Sequence, residues 1–247
     1  MKTLDSFNNI FENKERILFV MSHPDDAEVM AGGMIARLVA AGKRVRFVKM
    51  TMGNKGSRQE VISESDLTQM RKEEDANAIA ALGVLPEDNV YLDISDGAIE
   101  NDIETIGKIA KQIRIFKPDL IVTHNPEDMI IRFAKDENWV NHRDHRNTGK
   151  SALDAAYPYS RDLLFFPEQL KEEGVDSHSC GEFLLVDYYN HPDTIMIDVT
   201  DFMEKRVTAL ASHASQYTLD KAQGTSDFLT KNADGRHYEK FRYVTAE

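Results

Sequence analysis

The chain has 247 residues, 41% hydrophobic and 29% charged, with a formal net charge of −12. That size accommodates one large α/β domain with a full core, and the composition excludes disordered and collagen-like classes. The negative balance excludes non-specific nucleic-acid binding, which needs a basic surface.

One cysteine, Cys180, leaves no intramolecular disulfide framework. No apolar run approaches the ~20 residues of a membrane span, and Met1 to Arg16 lacks a signal-peptide core. A cytoplasmic protein is expected, with residues 1–247 as a single domain. Whether it forms a homo-oligomer is left open.

Ile17 to Met21 reads as a fully buried strand, too short and too uniformly apolar for an amphipathic helix. Met30, Met34, Leu38 and Ala41 then recur at helical spacing, and Gly42 can end that helix in a left-handed conformation. Val45 to Met52 reads as a second strand, and Asp66 to Leu82 as a helix stopped by Gly83. Val90 to Leu92 follows as a short strand, Ile103 to Ile113 as a helix, and Leu120 to Thr123 as a fourth strand. This alternation predicts an α/β fold with a mostly parallel sheet and right-handed crossovers.

Asn125 to Val140 is polar and aperiodic and reads as a loop of the functional kind. A helix is expected from about Thr148 to Tyr157. Phe183 to Tyr189 and Ile195 to Val199 read as strands joined by the turn at His191-Pro192-Asp193. Thr200 or Asp201 would cap a last helix through His213.

The chemistry concentrates in two stretches. His23-Pro24-Asp25-Asp26 leaves the first strand at its carboxyl end, where open parallel sheets gather ligands. Pro24 stiffens the turn. Adjacent carboxylates in a non-helical turn point apart, so one can bind a metal while the other serves as a base. His142-Arg143-Asp144-His145 places two imidazoles three apart, on one face if helical, with Asp144 available to orient a ring through its Nδ1–H. Two His and one Asp with open positions suit catalytic Zn²⁺, which lowers the pKa of bound water to roughly 7. The same set describes non-haem Fe²⁺. His124, His178, His191 and His237 show no partner pattern and read as surface or structural. No glycine fingerprint for a dinucleotide follows the first strand.

These residues resemble the LmbE-like (PIG-L-type) metal-dependent N-deacetylases, which remove acetyl groups from N-acetylglucosaminyl compounds. The similarity rests on His23 to Glu28 with Gly32-Gly33, and on Arg71, Glu74, Ala78 and Leu82-Gly83. Pro118-Asp119, Thr123-His124, His142 to His145, and Lys205, His213, Ser215 and Gln216 extend it. The resemblance implies a Rossmann-like sheet with helices on both faces. It implies metal ligands His23, Asp26 and His145, and Asp25 as general base. His142 would stabilise the oxyanion or protonate the leaving amine, with Asp144 orienting it.

Arg71 is the candidate for holding a sugar hydroxyl or attached anionic group, against an ion pair with Glu74. Gly53 to Ser57, Asp93 and Asp96-Gly97 are further pocket candidates. Some members carry a Tyr shortly before the second cluster. Here Trp139 and Val140 stand in that neighbourhood, and Phe133 and Trp139 could wall or cover the site. The implied substrate is a small amino-sugar compound. The rivals are an amidase acting on a thiol-sugar conjugate or another N-acyl substrate, a metal-dependent sugar-binding module without turnover, and an Fe²⁺ oxygenase.

Overall fold

A computed structural model describes residues 4–57, 61–133 and 136–246. The elements run α1 (Phe7–Phe11), β1 (Arg16–Met21), α2 (Asp26–Ala40), β2 (Arg44–Lys49), α3 (Glu64–Leu82), β3 (Asn89–Tyr91), α4 (Ile103–Phe116) and β4 (Leu120–Thr123). They continue as β5 (Ile130–Arg132), β6 (Asn138–Val140), α5 (Arg143–Asp154), β7 (Glu182–Leu185), β8 (Thr194–Asp198), α6 (Met203–Ser212), α7 (Leu219–Thr230) and β9 (Tyr238–Thr245).

The main sheet has the order β3-β2-β1-β4-β7-β9-β8. Strands β3, β2, β1, β4 and β7 are parallel, while β9 runs antiparallel to both of its neighbours. The chain moves outward from β1 to β3 and returns to β4 on β1's other side. The switch point therefore lies between β1 and β4, and their carboxyl ends open the crevice where such sheets bind ligands.

β1 shows how the sheet is covered on both faces. Ile17, Phe19 and Met21 enter a core shared with α1, α2, α3 and α6, while Leu18 and Val20 enter one shared with α4 and α5. The two-residue period of a strand sends alternate side chains to opposite faces. Helices on both sides explain why β1 reads as one apolar run. The predicted mostly parallel α/β sheet is what the structure contains.

The differences have local causes. Ser63 accepts the Asp66 N–H at 3.1 Å, so α3 begins at Glu64 and not Asp66. His142 accepts the Asp144 N–H through Nδ1, capping α5 at Arg143, five residues ahead of the expected start. Within the segment read as a loop, β5 and β6 pair antiparallel, with residues 134 and 135 outside the described residues. β7 and β8 are not a hairpin: β9 lies between them. Neither β9 nor α7 was predicted.

β9 also secures α2. Buried Glu239 accepts the Gly33 and Met34 N–H groups, each at 2.8 Å, and pairs with fully buried Arg206 from α6. Removing one partner leaves a buried charge uncompensated. Glu239→Ala should cost about 3–5 kcal/mol in urea unfolding, and a loss below about 1 kcal/mol would show that the pair contributes little.

Candidate metal centre

Four strand ends and one helix start supply the site. His23 to Asp26 follow β1, Asp96 follows β3, His124 follows β4 and Asp187 follows β7, while α5 brings His142 and His145. Two contacts fix the entry of α5. The Thr148 and Ser22 hydroxyls lie 2.8 Å apart, and a Cβ on Gly149 would meet the His124 carbonyl oxygen at 2.5 Å. Only glycine lets the helix approach the end of β4 this closely.

His23 Nδ1 lies 3.3 Å from Asp26 Oδ2, and His145 Nε2 lies 3.2 Å from Asp26 Oδ1. One ligand atom from each of the three residues lies within 4.8 Å of the others. A tetrahedral shell with bonds near 2.1 Å separates its ligands by roughly 3.4 Å, so the donor set fits a divalent cation. The Asp26 carboxylate is nearly buried and accepts the His23 backbone N–H at 2.7 Å, which locks the turn around it.

The remaining His23 nitrogen, Nε2, faces two further carboxylates: Asp96 Oδ1 at 3.4 Å and Asp144 Oδ2 at 3.6 Å. Such partners orient a ligating imidazole and raise its basicity. Asp96 also accepts the Lys55 N–H at 2.9 Å, and Asp144 the Gly97 N–H at 2.7 Å. Burial alone would lower the pKa of His23, but Asp26, Asp144 and Asp96 together hold it well above its ordinary value. Burial would raise Asp26, yet the imidazoles of His145, His23 and His124 hold it well below the carboxylate range. Asp96 is opposed by burial and is still drawn down to about 2 by His23 and the Lys55 N–H.

Asp25 occupies the N-cap position of α2 but caps no N–H, and it is half-buried. The His142 ring stands 5.1 Å from that of His23 and 5.4 Å from that of His145. Its Nδ1 takes the Asp144 backbone N–H at 3.2 Å, so Nδ1 is an acceptor and Nε2 carries the ring proton. The expected contact, an Asp144 carboxylate receiving a His142 Nδ1–H, is absent. Asp144 turns its carboxylate to His23, and only its backbone orients His142. Burial and the neighbouring rings of His23 and His145 lower the pKa of His142.

Arg71 is buried and donates from Nη2 to the Gly56 carbonyl at 3.1 Å, which also receives the Gln216 side-chain N–H at 3.1 Å. A Cβ on Gly53 (φ +62°) would stand 2.1 Å from Arg71 Nη1 and 3.5 Å from Pro24 Cδ. Gly53 thus makes room for the guanidinium beside the His-Pro-Asp-Asp turn. No ion pair joins Arg71 to Glu74 among the described residues; Glu74 accepts the Ser215 N–H at 2.6 Å and hydroxyl at 2.7 Å. Asp93 is exposed, with a left-handed backbone (φ 52°).

His124 is the residue the sequence reading set aside. It is fully buried, its ring stacks on His145 at 4.0 Å and 15°, and its Nε2 lies 3.1 Å from the Ser22 N–H donor and 3.2 Å from Asp26 Oδ2. Its signal was positional: it leaves β4 as His23 leaves β1. Asp187, after β7, joins His124 and His145 in a second close group. Burial pushes its carboxyl up to about 6, with His145 opposing.

Residues 18–156 match the family description "PIG-L: GlcNAc-PI de-N-acetylase". The chain is 27% identical to the diacetylchitobiose deacetylase of Thermococcus kodakarensis, over 96% of this chain and 86% of that protein. It is 30% identical to a 1D-myo-inositol 2-acetamido-2-deoxy-alpha-D-glucopyranoside deacetylase of Thermobifida fusca, over 94% and 93%. Among solved structures, the N,N'-diacetylchitobiose deacetylase of Pyrococcus horikoshii superposes with a TM-score of 0.81 at 26% identity, covering 97% of this chain and 87% of that one. A 4-carboxy-2-hydroxymuconate hydratase from Pseudomonas putida shares the fold, with TM-score 0.73 at 18% identity over 94% and 97%. With more than half its length matched, including His23, Asp26 and His145, the chain belongs to the PIG-L (LmbE-like) family.

Proposed function

We propose that this protein hydrolyses the N-acetyl amide of an N-acetylglucosaminyl compound, with Zn²⁺ held by His23, Asp26 and His145. The observation that carries this reading is the donor set: two imidazole nitrogens 3.2 and 3.3 Å from the oxygens of one carboxylate, beside a second carboxylate that caps nothing. A divalent cation bound there would polarise the acyl carbonyl and lower the pKa of a coordinated water.

The chain's own groups then divide the work. Asp25 takes the proton from the attacking water and returns it to the amine nitrogen as the C–N bond breaks, giving acetate and a free amine. His142 meets the oxygen on which negative charge develops. Its Nδ1 is committed to the Asp144 N–H and its pKa is lowered, which favours a neutral ring donating from Nε2 over an imidazolium acid. His23 is kept in one orientation by Asp96 and Asp144. Arg71, whose guanidinium lies against Gly53 beside the same turn, would bind a hydroxyl or anionic group of the sugar.

The relatives' names support an amino-sugar amide as the substrate class, and the mycothiol S-conjugate amidase of Streptomyces coelicolor, 27% identical over 62% of this chain and 55% of that protein, keeps the amidase alternative in view. Acetate release from N-acetylglucosamine derivatives separates the two. Among the described residues no helix is long and apolar enough to cross a membrane. Buried, unpaired Cys180 suits the reducing cytoplasm.

Asp25→Asn should lower kcat at least ~10²-fold while metal content stays unchanged. Normal turnover would remove Asp25 from the mechanism, whereas no turnover by either protein would leave a metal-dependent binding module as the reading. His142→Ala should cost about 10²–10³-fold in kcat, the scale for one oxyanion donor, without removing a limb of the pH profile. Loss of the alkaline limb would instead make His142 the acid.

Metal removal gives a pH test. Because the folded pKa of His23 is raised, its contribution to the metal-free protein is complete below ~6.5 and is lost as pH rises through the folded value. Asp26, being depressed, contributes above ~3.9 and loses this only in acid. The Tm of metal-free protein should therefore fall as pH rises above ~6.5, and Zn²⁺ should restore it. A Tm independent of both would contradict the ligand assignment.

A further inference from the structure

We propose that an open groove beside the metal centre is a subsite for an uncharged, apolar group carried on the amino sugar. This rests on the deacetylase reading and adds to it the class of aglycone. The groove, of about 330 Å³, is lined chiefly by Val29, Met30, Trp139, Thr225, Phe228 and Leu229.

Its place follows from helix geometry. Val29 and Met30 are four residues after Asp25 and Asp26, one turn along the same face of α2. The groove floor thus begins beneath the two carboxylates on which the chemistry depends. Tyr189 closes the other connection. Its hydroxyl lies 3.4 Å from Asp187 Oδ1, in the group that includes His145, and 3.9 Å from Met30 Sδ in the groove.

The wall is aromatic and held in place. Phe133 stacks on Phe228 at 4.5 Å and 23° and meets Tyr189 edge-on at 4.6 Å, while Trp139 lies 5.9 Å from both Phe133 and Tyr189. Trp139 belongs to β6, which leads directly into Asn141. That residue donates to the carbonyls of Asn125 at 3.0 Å and Asp128 at 2.9 Å, so the hairpin is tied to the start of the His142 cluster.

The lining chooses between aglycones. It carries no charged residue in a chain of net charge −12, and its hydrogen-bonding side chains are Thr225 and the Trp139 indole. A second sugar or an inositol would lose water from several hydroxyls and find few partners. An alkyl or other apolar group loses nothing polar and covers Phe228, which is 46% exposed.

The test uses the chain's one tryptophan, Trp139, as the probe. Methyl and hexyl N-acetyl-β-glucosaminides and diacetylchitobiose are titrated against the full-length protein, following both Trp139 emission and kcat/KM. Each methylene buried should strengthen binding about fourfold, so the hexyl glycoside should bind at least about tenfold tighter than the methyl glycoside and shift Trp139 emission. In Phe228→Ala, checked for folding by circular dichroism, the hexyl-to-methyl ratio should fall towards one.

Equal binding of the two alkyl glycosides, a ratio unchanged in Phe228→Ala, or tighter binding of diacetylchitobiose would overturn the proposal. So would a Trp139 emission that shifts with protein concentration alone, because the groove would then be covered by a second copy of the chain. If hexyl-dependent emission survives but no glycoside is turned over, the groove stands and the deacetylase reading falls.

Discussion

The Asp26 carboxylate is the constraint around which the rest is arranged. It is nearly buried, one backbone N–H fixes it, and the imidazoles of His23, His124 and His145 surround it from three elements. Buried charges need compensation, and here it comes from groups that a divalent cation would draw into its own shell. The switch point between β1 and β4 makes this arrangement possible, because the chain leaves these two adjacent strands towards opposite faces of the sheet and the residues that follow them face one crevice.

Around that centre the carboxylates have different surroundings. Asp96 and Asp144 are fixed by backbone N–H donors and turned towards His23. Asp25, one residue from Asp26, is half-buried and its side chain accepts no capping bond, which is why it is the carboxylate proposed as the base. The likeness to a hydratase at a TM-score of 0.73 shows that this scaffold does not by itself fix the reaction.

The strands and helices from β1 to β4 were legible because β1 and β4 are continuous apolar runs and Gly42 and Gly83 stop their helices with positive φ, whereas the five-residue α1 was not read. Helix α7 was not, although Thr218 caps it, because Gly224, Thr225 and scattered polar residues blur its apolar face. β5 and β6 have three residues each, too few to show a period. The order of β7, β9 and β8 depends on long-range pairing that no local pattern encodes. In the site, His23, Asp26 and His145 stood out through their neighbours in sequence. His124 and Asp187 did not, since each stands alone and becomes significant only when β4 and β7 are placed beside β1.

His23 and Asp26 lie more than a hundred residues before His145, and on the proposed reading all three share one cation. The most direct measurement is a crystal structure with anomalous scattering from zinc. A single ion bonded to His23 Nδ1, an Asp26 oxygen and His145 Nε2 at about 2.0–2.2 Å is the predicted result. An ion held by His124 and Asp187 without His23, or none at a saturating concentration, would contradict it.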